Sequence, residues 1–453
     1  MTIETAQRAA IAAHVETSFE SDVLPTLTQY TEIPCLSRAF DPDFEASGHL
    51  ARAASLLAGW SERRRIEGVR VEVVTLPGHT PVVLGEVPAR SPGERGTTLV
   101  YGHFDKQPPL GNWAEGLDPF RAVRRGDRLY GRGTADDGYA CFSAFTALEA
   151  LSVSGVGHGR VVVLIEGSEE SGSPDLGDYL ELLAPRLGSP ALVVCLDSGA
   201  ATYDRLWLTS SLRGNVIATL RVEVLDVGVH SGAAGGIVPS SFRILRSLLE
   251  RVEDSASGEI LLPELRSAVP EARRAEIERL VETLGEEAAG SFPTVPGLVL
   301  SGPDAAGRVV SGTWAPALEV TGLAGAPPPV DAGNVLRPFT EAKLSIRLPP
   351  DVDAAVAVRA LHAALSAEHP SGARIICEVS EPGSGFEAPP LEPWLAGTLD
   401  GASRAHFGAP PGVMGEGGSI PFLATLRDRL PEAQFVVTGV LGPESSAHGP
   451  NEF

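Results

Sequence analysis

The feature of this sequence that most limits its fold is an alternation of apolar runs with helical patterns across residues 97–196. Val161–Ile165 and Ala191–Leu196 are continuously apolar, as strands buried on both faces usually are. Amphipathic segments at 138–152 and 174–187 follow the helical period. Strands that alternate with helices are typical of a parallel sheet covered by helices. The sequence therefore predicts an α/β fold with a mostly parallel central sheet.

A different pattern begins near Asn215. Val216–Leu225, Glu341–Leu348 and 373–379 alternate apolar and polar residues, as half-buried strands do. After Pro389 the α/β pattern returns. We interpret the chain as one catalytic domain interrupted by an inserted α+β domain.

Charge and composition exclude several classes of partner. The chain carries 58 acidic and 36 basic residues, a net charge of −22, which would repel nucleic acid and the anionic surface of a membrane. No apolar run is long enough for a membrane span, and no basic segment followed by an apolar stretch opens the chain. The four cysteines lie far apart in mostly apolar surroundings and are interpreted as buried thiols. We expect a cytoplasmic protein with no nucleic-acid or membrane partner.

Acidic and imidazole side chains are concentrated at the ends of the predicted strands and at one helix start. The segments are Tyr101-Gly102-His103-Phe104-Asp105, Asp136-Asp137, Glu169-Glu170 and Asp197-Ser198-Gly199, with His448 near the end of the sequence. Ligands of open α/β sheets bind beyond the carboxyl ends of the strands, so these loops are expected to meet in one crevice. Imidazole and carboxylate suit zinc, and a carboxylate-rich site can hold two divalent ions. The Glu169-Glu170 pair could supply both a ligand and a proton acceptor.

Five separated motifs occur in an order that is specific to one family. They are Gly-His-Phe-Asp at 102–105, Gly-Arg-Gly-x-x-Asp-Asp at 131–137, Glu-Glu-Ser-Gly at 169–172, Leu-Asp-Ser-Gly at 196–199 and Ala-His-Gly-Pro-Asn-Glu-Phe at 447–453. The set resembles the aminoacylase/carnosinase family of di-zinc metallopeptidases, and the last motif resembles its dipeptidase branch. The resemblance implies a phosphorylase/hydrolase-like catalytic domain over 1–212 and 386–453, interrupted by a lid and dimerisation domain over 213–385.

The resemblance also implies a metal-ligand set. His103 and Asp197 would bind one divalent ion, Glu170 and His448 would bind the other, and Asp136 would bridge the two. Zinc is the expected metal, with manganese and cobalt as alternatives.

Further roles come from the same resemblance. Glu169 would be the general base, and Asp105 would orient His103 by accepting its second ring proton. His230 would reach the active site of a neighbouring subunit and stabilise the oxyanion, which implies a homodimer formed through the lid domain. The residues expected to contact substrate are Asn334, Arg347, Gly418 and Ser419, with Arg347 suited to a carboxylate.

The function expected from these features is metal-dependent hydrolysis of an amide bond in a dipeptide or similar small peptide with a free carboxylate. Metal-activated water would attack the carbonyl and Glu169 would accept its proton. An N-acyl-amino-acid deacylase or a carboxypeptidase of the same family is an alternative, because the same metals can serve a different pocket. A catalytically silent peptide-binding protein is a third hypothesis.

Overall fold

The computed structural model describes residues 3–90 and 96–453. The chain forms two compact units. The first contains Met1–Thr209, Ala388–Val413 and Thr425–Phe453, and the second contains Ser210–Glu387 and Met414–Ala424. The sequence prediction placed all of 386–453 in the catalytic domain, whereas Met414–Ala424 belongs to the second unit. Among the helices of the described residues, none combines the length and apolar character needed to cross a bilayer.

The first 212 residues contain six α-helices and eight strands within the described part of the chain. The helices are α1 (Thr5–Ser18), α2 (Leu24–Thr31), α3 (Phe44–Ser47), α4 (His49–Glu62), α5 (Tyr139–Val153) and α6 (Leu176–Leu187). The strands are β1 (Arg70–Val74), β2 (Val82–Val87), β3 (Thr97–His103), β4 (Val123–Arg125), β5 (Arg128–Tyr130), β6 (Arg160–Glu166), β7 (Pro190–Cys195) and β8 (Trp207–Leu212).

The remaining elements follow in chain order. The strands are β9 (Gly214–Glu223), β10 (Val229–His230), β11 (Ala317–Ala324), β12 (Val335–Leu336), β13 (Phe339–Leu348), β14 (Arg374–Gly383), β15 (Phe386–Glu387), β16 (Gly412–Glu416) and β17 (Gln434–Val437). The helices are α7 (Ser231–Ala234), α8 (Ser241–Leu249), α9 (Glu271–Leu284), α10 (Ala305–Thr313), α11 (Ala354–Ser366), α12 (Pro393–Phe407) and α13 (Pro421–Arg429).

A six-stranded sheet with the order β1-β2-β6-β3-β7-β17 is the centre of the first unit. The neighbours β6, β3, β7 and β17 are parallel, while β1 and β2 pair antiparallel at one side. The predicted α/β fold with a mostly parallel sheet is confirmed. Because β6, β3 and β7 are adjacent and parallel, the loops that follow them start from the same edge of the sheet.

Helices α4 and α5 contribute to the core of the first unit. Leu57 and Trp60 of α4 and Phe145 of α5 are fully buried in one apolar cluster with sheet residues. Trp60 packs edge-on against Phe142 with ring centroids 4.8 Å apart. Each such side chain contributes about 1.5–3 kcal/mol when it is removed from water. This packing fixes α5, which begins at Tyr139, shortly after Asp136 in the chain.

The second unit contains a four-stranded antiparallel sheet with the order β11-β13-β9-β14. Buried and half-buried residues alternate along β9, so one face of the strand packs in the core. Leu248 of α8 and Leu361 of α11 are fully buried in that core. Cys35, Cys141 and Cys195 are buried as predicted, but Cys377 is only half-buried because it lies on the outer strand β14.

Candidate active site

Three neighbouring strands deliver polar side chains to one edge of the central sheet. His103 is the last residue of β3, Asp197 follows β7 by two positions, and Glu169 and Glu170 form a single helical turn just after β6. Asp136 reaches the same place from the loop before α5. All of these residues belong to the first unit.

The glycine before His103 allows a close approach between two chain segments. The backbone amide of His103 donates a hydrogen bond to Oδ2 of Asp137 at 3.0 Å. A Cβ at Gly102 would lie 2.5 Å from that same oxygen, so a larger residue would push the Asp136-Asp137 loop away from β3. The peptide bond between Asp136 and Asp137 is cis.

The two oxygens of Asp136 face different imidazoles. Oδ1 lies 3.2 Å from Nε2 of His103, and Oδ2 lies 3.3 Å from Nε2 of His448. Nε2 of His448 is also 3.0 Å from Oε2 of Glu170, and Nε2 of His103 is 3.6 Å from Oδ1 of Asp197. The structure thus gathers the five predicted ligands in one cluster, with Asp136 between the two imidazoles. Each oxygen of this carboxylate has a different imidazole beside it. A carboxylate that bridges two cations requires this arrangement, with a further ligand of each cation near each oxygen.

Asp137 is a further candidate donor that sequence reasoning did not include. Two sets of three donors have atoms that all lie within 4.8 Å of one another: His103 with Asp136 and Glu170, and His103 with Asp137 and Asp197. Oδ1 of Asp137 is buried and has no hydrogen-bond partner within the described residues. A buried carboxylate oxygen without a partner is costly, and a cation would satisfy it. The donor set and this oxygen therefore fit a divalent metal.

The carboxylates of the site perturb one another. Burial raises the pKa of Glu169 well above its usual value, and the charge of Asp197 raises it further. Burial and the charge of Asp136 likewise raise the pKa of Glu170. Burial opposes a charged His103, yet the carboxylates of Asp197, Asp105 and Asp136 raise the pKa of its imidazole well above normal. Such accumulated negative charge favours a cation.

Asp105 contacts both a candidate ligand and the candidate base. Nδ1 of His103 lies 3.1 Å from the Asp105 carbonyl and 3.4 Å from its Oδ1. The two carboxylate oxygens also accept the backbone amides of Glu169, at 3.1 Å, and Glu170, at 3.0 Å. The sequence predicted contact with the imidazole but not the second pair of hydrogen bonds.

Two more side chains hold candidate ligands, and sequence reasoning missed both. The amide of Gln107 donates to Oε2 of Glu170 at 2.9 Å. The hydroxyl of Tyr139 donates to the carbonyl of Leu196, the residue before Asp197. Their only signal in the sequence is proximity to the motifs, since Gln107 lies two positions after Asp105 and Tyr139 two positions after Asp137.

The predicted substrate residues lie in the second unit, in two local groups. His230 caps the short helix α7, where its Nδ1 accepts the Gly232 amide at 3.1 Å, and the carbonyl of Asn334 accepts the Ser231 amide at 2.9 Å. Nη1 of Arg347 lies 3.5 Å from the hydroxyl of Ser419, which is next to Gly418.

Comparison with known proteins identifies the family. The sequence model of peptidase family M20/M25/M40 matches residues 99–453, which is well over half of the chain. The chain belongs to this peptidase family. This confirms the resemblance found in the sequence motifs and shows that the protein is a peptidase of a metallopeptidase family.

Individual relatives of this M20 peptidase cover most of its length. It is 28% identical over 374 residues to a cysteinylglycine-S-conjugate dipeptidase of Corynebacterium striatum, with 80% of this chain and 77% of the relative covered. It is 26% identical over 466 residues to a Cys-Gly metallodipeptidase of Saccharomyces cerevisiae, with 96% and 92% covered. An M20 family metallo-carboxypeptidase from Sulfolobus solfataricus has a similar structure, with a TM-score of 0.78, 22% identity and 95% and 94% covered. At that identity the structural likeness concerns the fold.

Proposed function

We propose that this peptidase is a dipeptidase that hydrolyses the amide bond of small peptides with a free carboxylate, with two divalent ions, most simply zinc, and with Glu169 as general base. The observation that supports the proposal most is that the two oxygens of Asp136 lie beside two different imidazoles, those of His103 and His448. A site for a single ion would not need two imidazoles on opposite oxygens of one carboxylate.

Bound divalent ions lower the pKa of water and polarise a carbonyl group. Glu169 supplies the proton transfer in this proposal. Its Oε2 lies 4.0 Å from Nε2 of His103, so its carboxylate is beside the candidate ligands, where it can take a proton from the attacking water and return it to the leaving amine. The carboxylate of Asp105 accepts a hydrogen bond from the Glu169 backbone amide and so fixes the position of the Glu169 backbone, from which its side chain extends.

The proposed substrate is a dipeptide because the relatives that cover most of the chain are named for Cys-Gly and cysteinylglycine-conjugate peptides. Burial lowers the pKa of the Arg347 guanidinium. In our proposal this guanidinium binds the substrate carboxylate beside Gly418 and Ser419, and Asn334 contacts the peptide.

We propose further that the protein acts as a homodimer, in which His230 stabilises the oxyanion in the partner's site. The exposure of His230 in the single chain supports this role. A cytoplasmic location is part of the same proposal, and it is supported by four cysteines that all remain free thiols.

The test combines metal analysis with a substrate panel. We expect two zinc ions per chain, and faster hydrolysis of free dipeptides such as Cys-Gly than of the same dipeptides with an amidated carboxyl end. Hydrolysis of N-acyl amino acids without dipeptide hydrolysis would instead establish the deacylase alternative. Two bound ions with no hydrolysis of any substrate would favour the silent binding protein.

A further inference from the structure

One buried carboxylate, that of Glu452, joins two candidate ligand segments that lie far apart in the sequence, those of Asp136 and His448. We propose that Glu452, together with Arg132, is a positioning residue that holds Asp136 in register with His448 and thereby sets the affinity for the divalent ions. The inference rests on the metal site of the proposed function, but not on the identity of the substrate.

Glu452 organises the loop that ends in Asp136. Its Oε1 accepts the backbone amide of Gly133 at 2.8 Å, and it lies 3.4 Å from the amide of Ala135 and 3.3 Å from the amide of Asp136. Its own carbonyl accepts the amide of Gly131 at 3.0 Å. The backbone of the candidate bridging residue is therefore held by this carboxylate.

The other oxygen of Glu452 reaches Arg132. Oε2 lies 2.5 Å from Nη1 of Arg132, and both side chains are shielded from water, with exposed fractions of 0% and 1%. Nη2 of Arg132 donates to the carbonyl of Gly449, next to His448, at 2.7 Å. The pair thus contacts the Asp136 loop on one side and the His448 turn on the other.

The turn at His448 needs such support because of its backbone conformation. His448 has φ 58° and Asn451 has φ 64°, both in the left-handed region that residues other than glycine rarely adopt. Conformations of this kind persist where neighbouring contacts determine them. The Arg132 contact with Gly449 and the bond from the Ala114 amide to Oδ1 of Asn451, at 2.9 Å, supply two of these contacts.

A purely structural ion pair would stabilise the fold without affecting the metals. A positioning role and a structural role therefore predict different zinc affinities for the folded variant. A positioning residue changes the affinity for metal in molecules that are folded, because the Asp136 and His448 donors are no longer held at the right separation. A structural residue changes only the fraction of molecules that fold.

The experiment measures zinc affinity by competition with a chromophoric chelator on the full chain. Glu452→Gln removes the charge that faces Arg132 with little change of size, and we expect zinc to bind about 10–100-fold more weakly than to the wild type. The matched control is Glu444→Gln in the same terminal segment. Glu444 pairs with Arg128 at 2.5 Å at the surface, with its side chain 70% exposed. The control is expected to keep wild-type zinc affinity.

Melting of the metal-free variants by circular dichroism separates the two roles. A lower melting temperature with unchanged zinc affinity in folded Glu452→Gln would overturn the inference. If that variant does not fold, Glu452→Asp decides, because it keeps the charge but shortens the reach: weaker zinc binding supports the inference, and wild-type affinity overturns it. A wild type that binds no zinc would contradict the proposed function as well, so the two failures are distinguishable.

Discussion

The carboxylate of Asp105 accepts a hydrogen bond from the backbone amide of Glu169 at 3.1 Å. The same residue contacts Nδ1 of His103 through its carbonyl. A candidate metal ligand and the candidate general base are therefore positioned by one residue, through its backbone carbonyl and its carboxylate. The chemistry of the site depends on Asp105 even though this residue does not face the substrate in our proposal.

Replacement of Asp105 should separate positioning from metal binding. The Asp105 carboxylate accepts hydrogen bonds from two backbone N–H groups. Asp105→Asn places an amide NH₂, which cannot accept, opposite one of them, so the turn that contains Glu169 should shift. We expect kcat to fall about 10–100-fold while two metal ions per chain are retained. Steady-state kinetics with metal analysis of the same samples would check this, with Asp226→Asn at an exposed position as control. Wild-type kcat in Asp105→Asn would show that the hydrogen bonds are dispensable.

If Glu169 is the general base, its replacement should reduce turnover without removing metal. Glu169→Gln cannot accept a proton but keeps the size of the side chain. Turnover should fall at least ~10²-fold, the lower end of typical acid–base contributions, with the metal content unchanged. The control is Glu181→Gln, an exposed glutamate of α6. Substantial turnover by Glu169→Gln would assign the proton transfer to another group.

The bridging geometry predicts unequal effects of ligand loss. His448→Ala removes donors from one cation only, so we expect about one tightly bound ion per chain. Asp136→Asn weakens the carboxylate that faces both imidazoles, so both positions should lose affinity. Inductively coupled plasma mass spectrometry after dialysis measures the content directly. Equal loss in the two variants would argue against a bridging role for Asp136.

A pH-dependent prediction concerns Glu149, outside the active site. Burial opposes its ionisation, but the backbone and side-chain hydrogen bonds of Arg65 and the charges of Arg64 and His14 lower its pKa overall. A lowered pKa in the folded state stabilises the protein above the unfolded value of about 4.3, and this stabilisation is lost as the pH falls through the folded value.

Glu149→Gln should therefore lower the free energy of unfolding by about 1–3 kcal/mol at pH 7, and by progressively less below about pH 4. Urea unfolding at several pH values measures the difference, with the exposed Glu62→Gln as reference. A difference that is constant over this pH range would mean that the ionised carboxylate makes no contribution.

The proposed homodimer can be tested by complementation. Neither His230→Ala nor Glu169→Gln should be active alone. When the two are mixed and allowed to exchange subunits, a two-fold dimer with shared sites should recover about a quarter of wild-type activity, because half of the dimers are mixed and each has one intact site. No recovery, despite exchange shown by differently tagged chains, would place His230 outside the partner's site.

The sequence predicted the central sheet because β6, which is buried on both faces, is continuously apolar. The run of β7 is also apolar, although that strand is only partly buried. The sequence did not predict that β1 and β2 run antiparallel at one side, because the pattern of a strand does not encode its direction. The prediction placed Met414–Ala424 in the catalytic domain, whereas its contacts group it with the second unit. A glycine-rich stretch has little periodicity from which such contacts could be predicted.

The candidate site was predicted where a motif carries the chemistry and missed where a fold-dependent contact does. His103 and Asp136 are recognisable from their neighbours in the sequence. The reach of Gln107 to Glu170 and the proximity of Asp137 to Asp197 depend on how the loops meet above the sheet. Such contacts leave no spacing signal in a single sequence.

Arg132 and Glu452 are 320 positions apart, with the whole second unit between them in the chain. During synthesis the ribosome therefore releases the Asp136 loop long before its partner carboxylate emerges. Contacts of such separation are slow to form, because a large loop must close first. The nascent chain should consequently remain inert as a peptidase until the segment that carries His448 and Glu452 docks on the Asp136 loop, so hydrolytic activity would arise only in molecules in which this contact has formed.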